Sequence, residues 1–295
     1  MVTEKKRRLV QLLSALGLNP DFLSLLRGEI NQGKSKGVCV PALNCYSCPA
    51  AIGACPVGSL QNSLSSLRYN LASGQKKFGL YVIGSIGLMG SVGGRLACGW
   101  LCPFGFLQEL LYRLPGPKIQ LSQKLNFLRY VFLFIFVLFL PLFLVDSLGL
   151  GAPWFCKIIC PAGTLEAGVI LAAVNPAIRS QLGWLFAWKT LVLIIFLVLM
   201  VLSQRPFCRL VCPLGTILGW FNRLSAFRMK VDLEACLRCD ACQRVCPVNI
   251  KIYENPDSSQ CIRCLKCEKV CPVSCIGHDW EVLRPGKKQP ALVQK

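Results

Sequence analysis

The sequence predicts an α-helical integral membrane protein, with about three to four transmembrane helices plus one re-entrant or interfacial helix, joined to a small C-terminal α+β domain. Three observations predict it. Of the 295 residues, 54% are hydrophobic. Several nearly uncharged apolar runs approach the roughly 20 residues that a helix needs to cross a bilayer. The nineteen cysteines fall largely into short repeated runs, two of them complete near the C-terminus. The length allows one sizeable unit and a small domain. We divide it into residues 1–77 (a basic and apolar helix, then a cysteine-bearing loop), 78–230 (the transmembrane domain), 231–279 (the small cysteine-rich domain) and 280–295 (a basic tail).

The chain begins with Lys5-Lys6-Arg7-Arg8 and the apolar decamer Leu9–Leu18, broken by Asn19-Pro20-Asp21 and followed by Phe22–Leu26. No small-residue cleavage site follows, so a cleavable signal peptide is not expected. Ten residues cannot cross a bilayer. Residues 9–26 together nearly could with a kink at the proline, and an interfacial helix is the equal alternative. Residues 31–77 are rich in Gly and Ser and hold Cys39, Cys45, Cys48 and Cys55. Three predicted spans follow. Phe78–Ala97 carries Gly90-x3-Gly94, a spacing that allows close helix approach. Phe127–Val145 is rich in Phe, Leu and Val, and Leu182–Ser203 is interrupted only by Lys189. Gly163–Val174, closed by Asn175-Pro176, is too short to span and reads as re-entrant or interfacial.

The C-terminal domain carries the strongest signal. Cys236 to Pro272 contains two copies of C-x2-C-x2-C-x3-C-P, the run that holds cubane iron–sulfur clusters in two-cluster bacterial ferredoxins. Three close thiolates grip one cubane and the fourth crosses to the other. We therefore assign Cys236, Cys239, Cys242 and Cys271 to one [4Fe-4S] cluster, and Cys261, Cys264, Cys267 and Cys246 to its twin. C-x2-C pairs also suit zinc, but two full copies, each closed by C-x3-C-P, favour iron. Cys275 has no slot in this scheme and reads as a spare thiol. His278, the one histidine, is expected at the surface.

The other cysteines form an internal repeat. Cys98-x3-Cys102-Pro-x-Gly, Cys156-x3-Cys160-Pro-x-Gly and Cys208-x3-Cys212-Pro-x-Gly are three copies, and Cys55-Pro-Val-Gly is a fourth ending, with Cys48 seven residues before it. Cysteines at i and i+4 lie on one face of a helical turn, so each copy offers two thiolates, half of what a cubane takes. One span separates each half-site from the next, and they alternate sides. Cys98, Cys102, Cys208 and Cys212 are expected to hold an inner cluster on the same side as the C-terminal domain. An outer cluster would take Cys156 and Cys160 plus two of Cys39, Cys45, Cys48 and Cys55, of which Cys48 and Cys55 match the repeat best. Unligated thiols can serve as apolar packing groups, but not so readily four times in register with Pro and Gly. Two clusters would divide a hydrocarbon core roughly 30 Å thick.

Charge follows the same topology. Arg113, Lys118 and Lys124, and then Arg205, Arg209, Arg223, Arg228 and Lys230, mark the cytoplasmic side, whereas residues 149–181 carry only Lys157 and Arg179. Lys76 and Lys77 run against this, and compensation of a nearby anionic cluster or a different N-terminal topology would each account for them. The net charge of +19 has these flanks and the anionic clusters as sinks, and no basic-aromatic module points to nucleic acid. Lys189 would snorkel or compensate the outer cluster. Arg95 and Arg209 are cluster partners or topological anchors. Glu166 is expected to help start the short helix after Thr164, with a proton or quinol role as the lesser reading. Nucleophile–base pairs, phosphate loops and dinucleotide fingerprints do not occur.

On these motifs the chain resembles the membrane-bound 4Fe-4S polyferredoxins of the NapH/MauN/YccM type, over nearly all of its length after residue 35. The matching features are the C-x3-C-P motifs at Cys98 and Cys208 beside membrane helices, followed by two ferredoxin motifs. The N-C-Y-S-C-P…A-C-P-V-G segment and F-C-K-I-I-C-P-A-G-T-L-E look like a bacterial subgroup. The resemblance implies electron transfer between the quinone pool, or another membrane donor, and a redox partner, with the ferredoxin domain cytoplasmic in a prokaryotic inner membrane. Cys156, Cys160 and the N-terminal cysteines go beyond that pattern and favour a longer path. The expected function is to pass single electrons between a cytoplasmic ferredoxin- or flavoprotein-type partner and a membrane or outer-face acceptor, as part of an oxidoreductase complex rather than as a stand-alone enzyme. A quinol dehydrogenase subunit, with quinone as a further cofactor, is the alternative, and structural or sensing clusters a third reading. Membrane lipid is an expected partner and nucleic acid is not.

Overall fold

The computed structural model describes residues 4–75 and 79–280. Lys76, Lys77 and most of the expected basic tail lie outside the described residues. The principal helices are α1 (Glu4–Leu18), α2 (Phe22–Arg27), α3 (Pro56–Ser65), α4 (Leu80–Gly93), α5 (Leu96–Trp100), α6 (Pro103–Leu111), α7 (Gln123–Phe143), α8 (Pro161–Val174), α9 (Trp184–Leu202), α10 (Pro206–Leu210) and α11 (Pro213–Trp220). Two strands, β1 (Phe227–Val231) and β2 (Ile276–Trp280), pair antiparallel from Phe227↔Trp280 to Val231↔Ile276 and close the C-terminal unit.

Two of the described helices, α7 and α9, are long and apolar enough to cross a membrane. Only 28% and 17% of their apolar windows are buried, so neither is the covered core helix of a soluble domain. Leu191, Ile194, Ile195 and Val198 form an exposed outer face on α9. α4 and α8 are apolar but shorter. The first expected span thus reaches only Gly93, because Gly94 turns the chain with φ +52°. A side chain there would meet Asn222, and at Gly90 it would strike the ring of Phe221. The helix gives up length for close packing.

α1 leaves Leu9, Leu12, Leu13 and Leu16 exposed, while its other face is tied down. Arg7 and Gln11 both donate to the Gly99 carbonyl at 3.0 Å, and Ser14 donates to that of Leu101 at 2.8 Å. Past its end, Asn19 meets Asn44 at 3.1 Å. α1 therefore reaches from the Cys98–Cys102 turn to the N-terminal cysteine loop. Continuing through α2, the chain closes at Gly28 (φ +66°), whose carbonyl accepts from the Asn175 amide.

The C-terminal unit is held against the helices by buried arginines that donate to backbone carbonyls. Arg263, 1% exposed, donates to Gly93 and Asn222. Arg95, also 1% exposed, donates to Ser259 and Gln260. Asn222 donates to Ser258 and Cys261. An amide–carbonyl bond nets about 1 kcal/mol and one to a charged donor about 1.5–3, so this dense set fixes the unit in one orientation. Arg95 is accordingly a clamp between the two parts. Arg209 donates to Leu121 at 3.0 Å.

Candidate metal centres

In the C-terminal unit, two hollows correspond to the two cysteine runs. One is lined by Cys246, Cys261, Cys264 and Cys267 with an apolar wall that includes Val248, Ile250 and Ile262. The other is lined by Cys236, Cys239, Cys242 and Cys271. Cys242 borders both. The loops have the same conformation twice: Arg238 and Asp240 in the first run, and Arg263 and Leu265 in the second, all have φ between +49° and +59°. Left-handed non-glycine residues cost of order 1 kcal/mol each, and they turn successive N–H groups into concave anion-binding nests. Thiolates and N–H-lined hollows are a donor set that fits [4Fe-4S] clusters.

Cys275 is no bystander, because its buried sulfur lies 3.3 Å from that of Cys271. His278 is exposed, pairing with Glu268 at 2.9 Å.

The inner half-sites interlock as a pseudo-twofold pair. Cys102 and Cys212 each cap the helix that begins at the following proline, accepting from Gly105 and Gly215 at 3.4 Å. Arg95 and Arg205 each stand three residues before a first cysteine, and they cross over. Arg205 donates to the Cys98 carbonyl at 2.6 Å, and Arg95 to that of Cys208 at 3.3 Å. The glycines make room, since a side chain at Gly105 would press on Arg205 and one at Gly215 on Arg95. Burial, then repulsion from Cys208 and Cys98, pushes the Cys102 thiol upward, and burial, then the other three cysteines, does the same at Cys212. Loading such a site with metal requires the thiols to release protons.

Outside this group, Glu109 bridges Arg7 and Arg205. Burial alone would raise its carboxyl, but Arg205 and then Arg7 outweigh that and hold it at about 2.

The outer group differs from the expectation at one position. Beside Cys156 and Cys160 stand Cys55 and Cys45. A side chain at Gly163 would meet the Cys45 sulfur at 3.4 Å and that of Cys160 at 4.0 Å, and one at Gly58 would meet that of Cys156 at 3.9 Å. Burial, then Cys55 and Cys45, pushes the Cys156 thiol up to about 12. Cys48 lies beside Cys45 in a group with Ala50 and Ala51, its sulfur 3.7 Å from the Asn19 amide oxygen. Cys39, in turn, packs with Val82 and Ile86. Cys45 thus stands with Cys55, Cys156 and Cys160 across the fold, and the expected Cys48 is next to it. Cys45→Ser is expected to remove about four iron atoms per chain while Cys48→Ser retains them; equal iron in both variants would refute Cys45 as the ligand.

Two further side chains touch the cysteines and went unread in the sequence. Gln61 Nε2 lies 3.1 Å from the Cys156 sulfur, and Gln108 Nε2 lies 3.1 Å from that of Cys208. Their signal is an extension of the repeat, C-P-x-G-x-L-[QE], ending at Gln61, Gln108 and Glu166. Glu166 does not start a helix. That role falls to Cys160 and Pro161, and Glu166 accepts the Cys45 N–H at 2.6 Å. Lys189 is near enough to Cys156 to favour its thiolate.

The inner group abuts the second hollow. A side chain at Gly99, between Cys98 and Cys102, would collide with the Ile262 carbonyl and meet Cys264 Cα at 3.7 Å. Trp100 donates to the Arg263 carbonyl at 3.0 Å. The other hollow lies farther out, where Cys239 is exposed.

Comparison with known proteins agrees with this count of repeats. A family described as "4Fe-4S binding domain" matches residues 78–122, 128–172 and 184–232, each stretch holding one C-x3-C-P, and a "4Fe-4S dicluster domain" matches 228–272. The uncharacterized protein MJ0750 of Methanocaldococcus jannaschii is 35% identical over 57% of this chain and 64% of its own length. The putative electron transport protein YccM of Escherichia coli is 26% identical over 67% of this chain and 54% of its length. The methylamine utilization ferredoxin-type protein MauN of Paracoccus denitrificans is 29% identical over 53% and 49%. The chain thus spans less than two thirds of these relatives. No solved structure matches it.

Proposed function

Since the chain belongs to the 4Fe-4S polyferredoxin family and binds [4Fe-4S] clusters in an iron–sulfur electron-transfer role, we propose that it conducts single electrons across a membrane through four such centres. The clusters supply reversible one-electron chemistry. The chain's residues set the order: Cys45, Cys55, Cys156 and Cys160 outermost, then Cys98, Cys102, Cys208 and Cys212, then Cys246, Cys261, Cys264 and Cys267, and last Cys236, Cys239, Cys242 and Cys271. The observation that carries this reading is the contact of the Cys98–Cys102 turn with the Ile262–Cys264 loop, which leaves no gap between helices and ferredoxin unit.

In this reading α4, α7 and α9 cross the membrane in alternate directions, α1 runs beside them between the inner and the outer cysteines, and α8 re-enters on the outer side. The ferredoxin unit faces the cytoplasm, among the basic residues that flank α7 and α9. Exposed Cys239 gives a cytoplasmic ferredoxin- or flavoprotein-type partner its point of exchange, and an outer-face redox protein or quinone meets the other end. Wild-type protein is expected to hold about sixteen iron atoms per chain. In sealed vesicles, an impermeant reductant on the outer side should reduce the ferredoxin-unit clusters. About eight irons in a well-loaded preparation would leave a tethered ferredoxin without a conduit.

A quinol dehydrogenase role has one observation in its favour, a groove of about 330 Å³ between α1 and α6. Leu9, Leu12, Phe106 and Leu110 line it together with the charged Lys5, Arg8, Glu109 and Arg113. Reduction of the clusters by a quinol analogue would support it, and competent protein left oxidised would count against it.

A further inference from the structure

We propose that Gln61 and Gln108 tune the reduction potentials of the outer and inner centres, each through an N–H···S bond to the first cysteine of the opposing half-site. The inference rests on the four-centre reading above.

Both glutamines are fully buried, at 0% exposure. Both stand six residues after the capping cysteine of one half-site, one and two-thirds turns into its helix, and both cross to the other half at the same 3.1 Å. Gln61 goes from the Cys55 half-site to Cys156, and Gln108 from the Cys102 half-site to Cys208. Two independent sites thus share the N–H···S contact, and at Gln108 the same nitrogen also donates to the Phe104 carbonyl at 3.3 Å. At Gln61 the amide is oriented by a second bond, its oxygen accepting the Phe155 N–H at 2.9 Å. This leaves the NH₂ end for sulfur.

The remaining two copies of the position break the pattern in a way that fits the role. Glu166 has no amide donor and binds the Cys45 N–H instead. Leu218 is apolar and fully buried. Each four-cysteine group therefore receives one glutamine, from one side. A hydrogen bond to a ligand sulfur stabilises the more negative, reduced state, and hydrogen bonding to sulfur is one of the levers that set cluster potentials. In a buried site, where water does not compete, the bond has its greatest leverage.

The glutamines are positioning residues and not ligands, so the readout is a potential. Redox titration followed by EPR is carried out on the full-length, iron-loaded protein. The inner centre is identified by its absence from Cys98→Ala/Cys208→Ala, and the outer by its absence from Cys156→Ala/Cys160→Ala. Gln108→Leu is expected to lower the midpoint of the inner centre and Gln61→Leu that of the outer, with about sixteen irons retained and the ferredoxin-unit midpoints unmoved. Unchanged midpoints at full iron would overturn the proposal while leaving the four-centre reading intact. A wild type with about eight irons would instead remove that reading. Should a leucine variant lose iron, Gln→Met, unbranched and of similar reach but with no N–H, decides the matter. Loss of the centre in both would make the glutamine a structural prop and overturn the tuning role.

Discussion

Alanine at both Cys98 and Cys208 is expected to remove about four iron atoms per chain and to stop electron passage from the outer side to the ferredoxin unit. The two residues are the first cysteines of opposing half-sites, and each has its carbonyl clamped by the other half's arginine. Losing both leaves Cys102 and Cys212, one ligand per half, too few for a cubane. The outer group and the ferredoxin unit use none of these sulfurs, so about twelve irons should remain. In vesicles, chemical reduction from the ferredoxin side should proceed and reduction from the outer side should fail. Sixteen irons in the double variant, or undiminished passage, would mean that the inner four cysteines do not form a site.

Glu109→Ala should destabilise the folded protein by about 3–5 kcal/mol, the cost of breaking a buried ion pair from one side. Its carboxylate neutralises Arg205, whose side chain is fully buried, and Arg7, 2% exposed. Arg205 then holds the Cys98 carbonyl and Arg7 that of Gly99. Thermal unfolding in detergent measures the loss, and an unchanged midpoint would show the triad to be dispensable. The folded carboxyl is held below its usual value, so its contribution is complete above the ordinary carboxylate range and is lost as pH falls toward about 2. Lowering the pH from 7 to 5 should therefore leave this term in place. Glu109→Gln, which keeps hydrogen-bond acceptance without charge, should lose less.

The cysteine runs were legible because ligand spacing is a local property of the chain. Cys236–Pro272 divides into two quartets by spacing, and the two hollows have those residues as their lining. Repetition of C-x3-C-P brought Cys98 and Cys208 together without any structure. The same rule pairs Cys48 with Cys55, whereas the sulfur beside Gly163 and Cys160 is that of Cys45. Cys45 and Cys55 are ten residues apart, and what brings them beside Cys160 and Cys156 is room at Gly163 and Gly58, a relation that leaves no spacing along the chain. The apolar periodicity of Phe78–Ala97 promised a longer helix than exists, because the turn at Gly94 answers to Asn222 and Arg263, over a hundred residues away. Docking of the ferredoxin unit was invisible for a similar reason: arginines that donate to carbonyls carry no partner pattern in sequence. The glutamines could have been read, since the C-P-x-G-x-L-[QE] extension stands in plain view.

The crossing of half-sites bears on how long the protein survives in a cell. Each membrane centre would tie together segments roughly a hundred residues apart, closing large loops whose entropy is otherwise free to return. Iron loss after contact with oxygen would then do more than interrupt current. It would slacken the bundle that carries the ferredoxin unit, exposing carbonyls that Arg95 and Arg205 now cover, and oxidative damage would be read by proteases as unfolding.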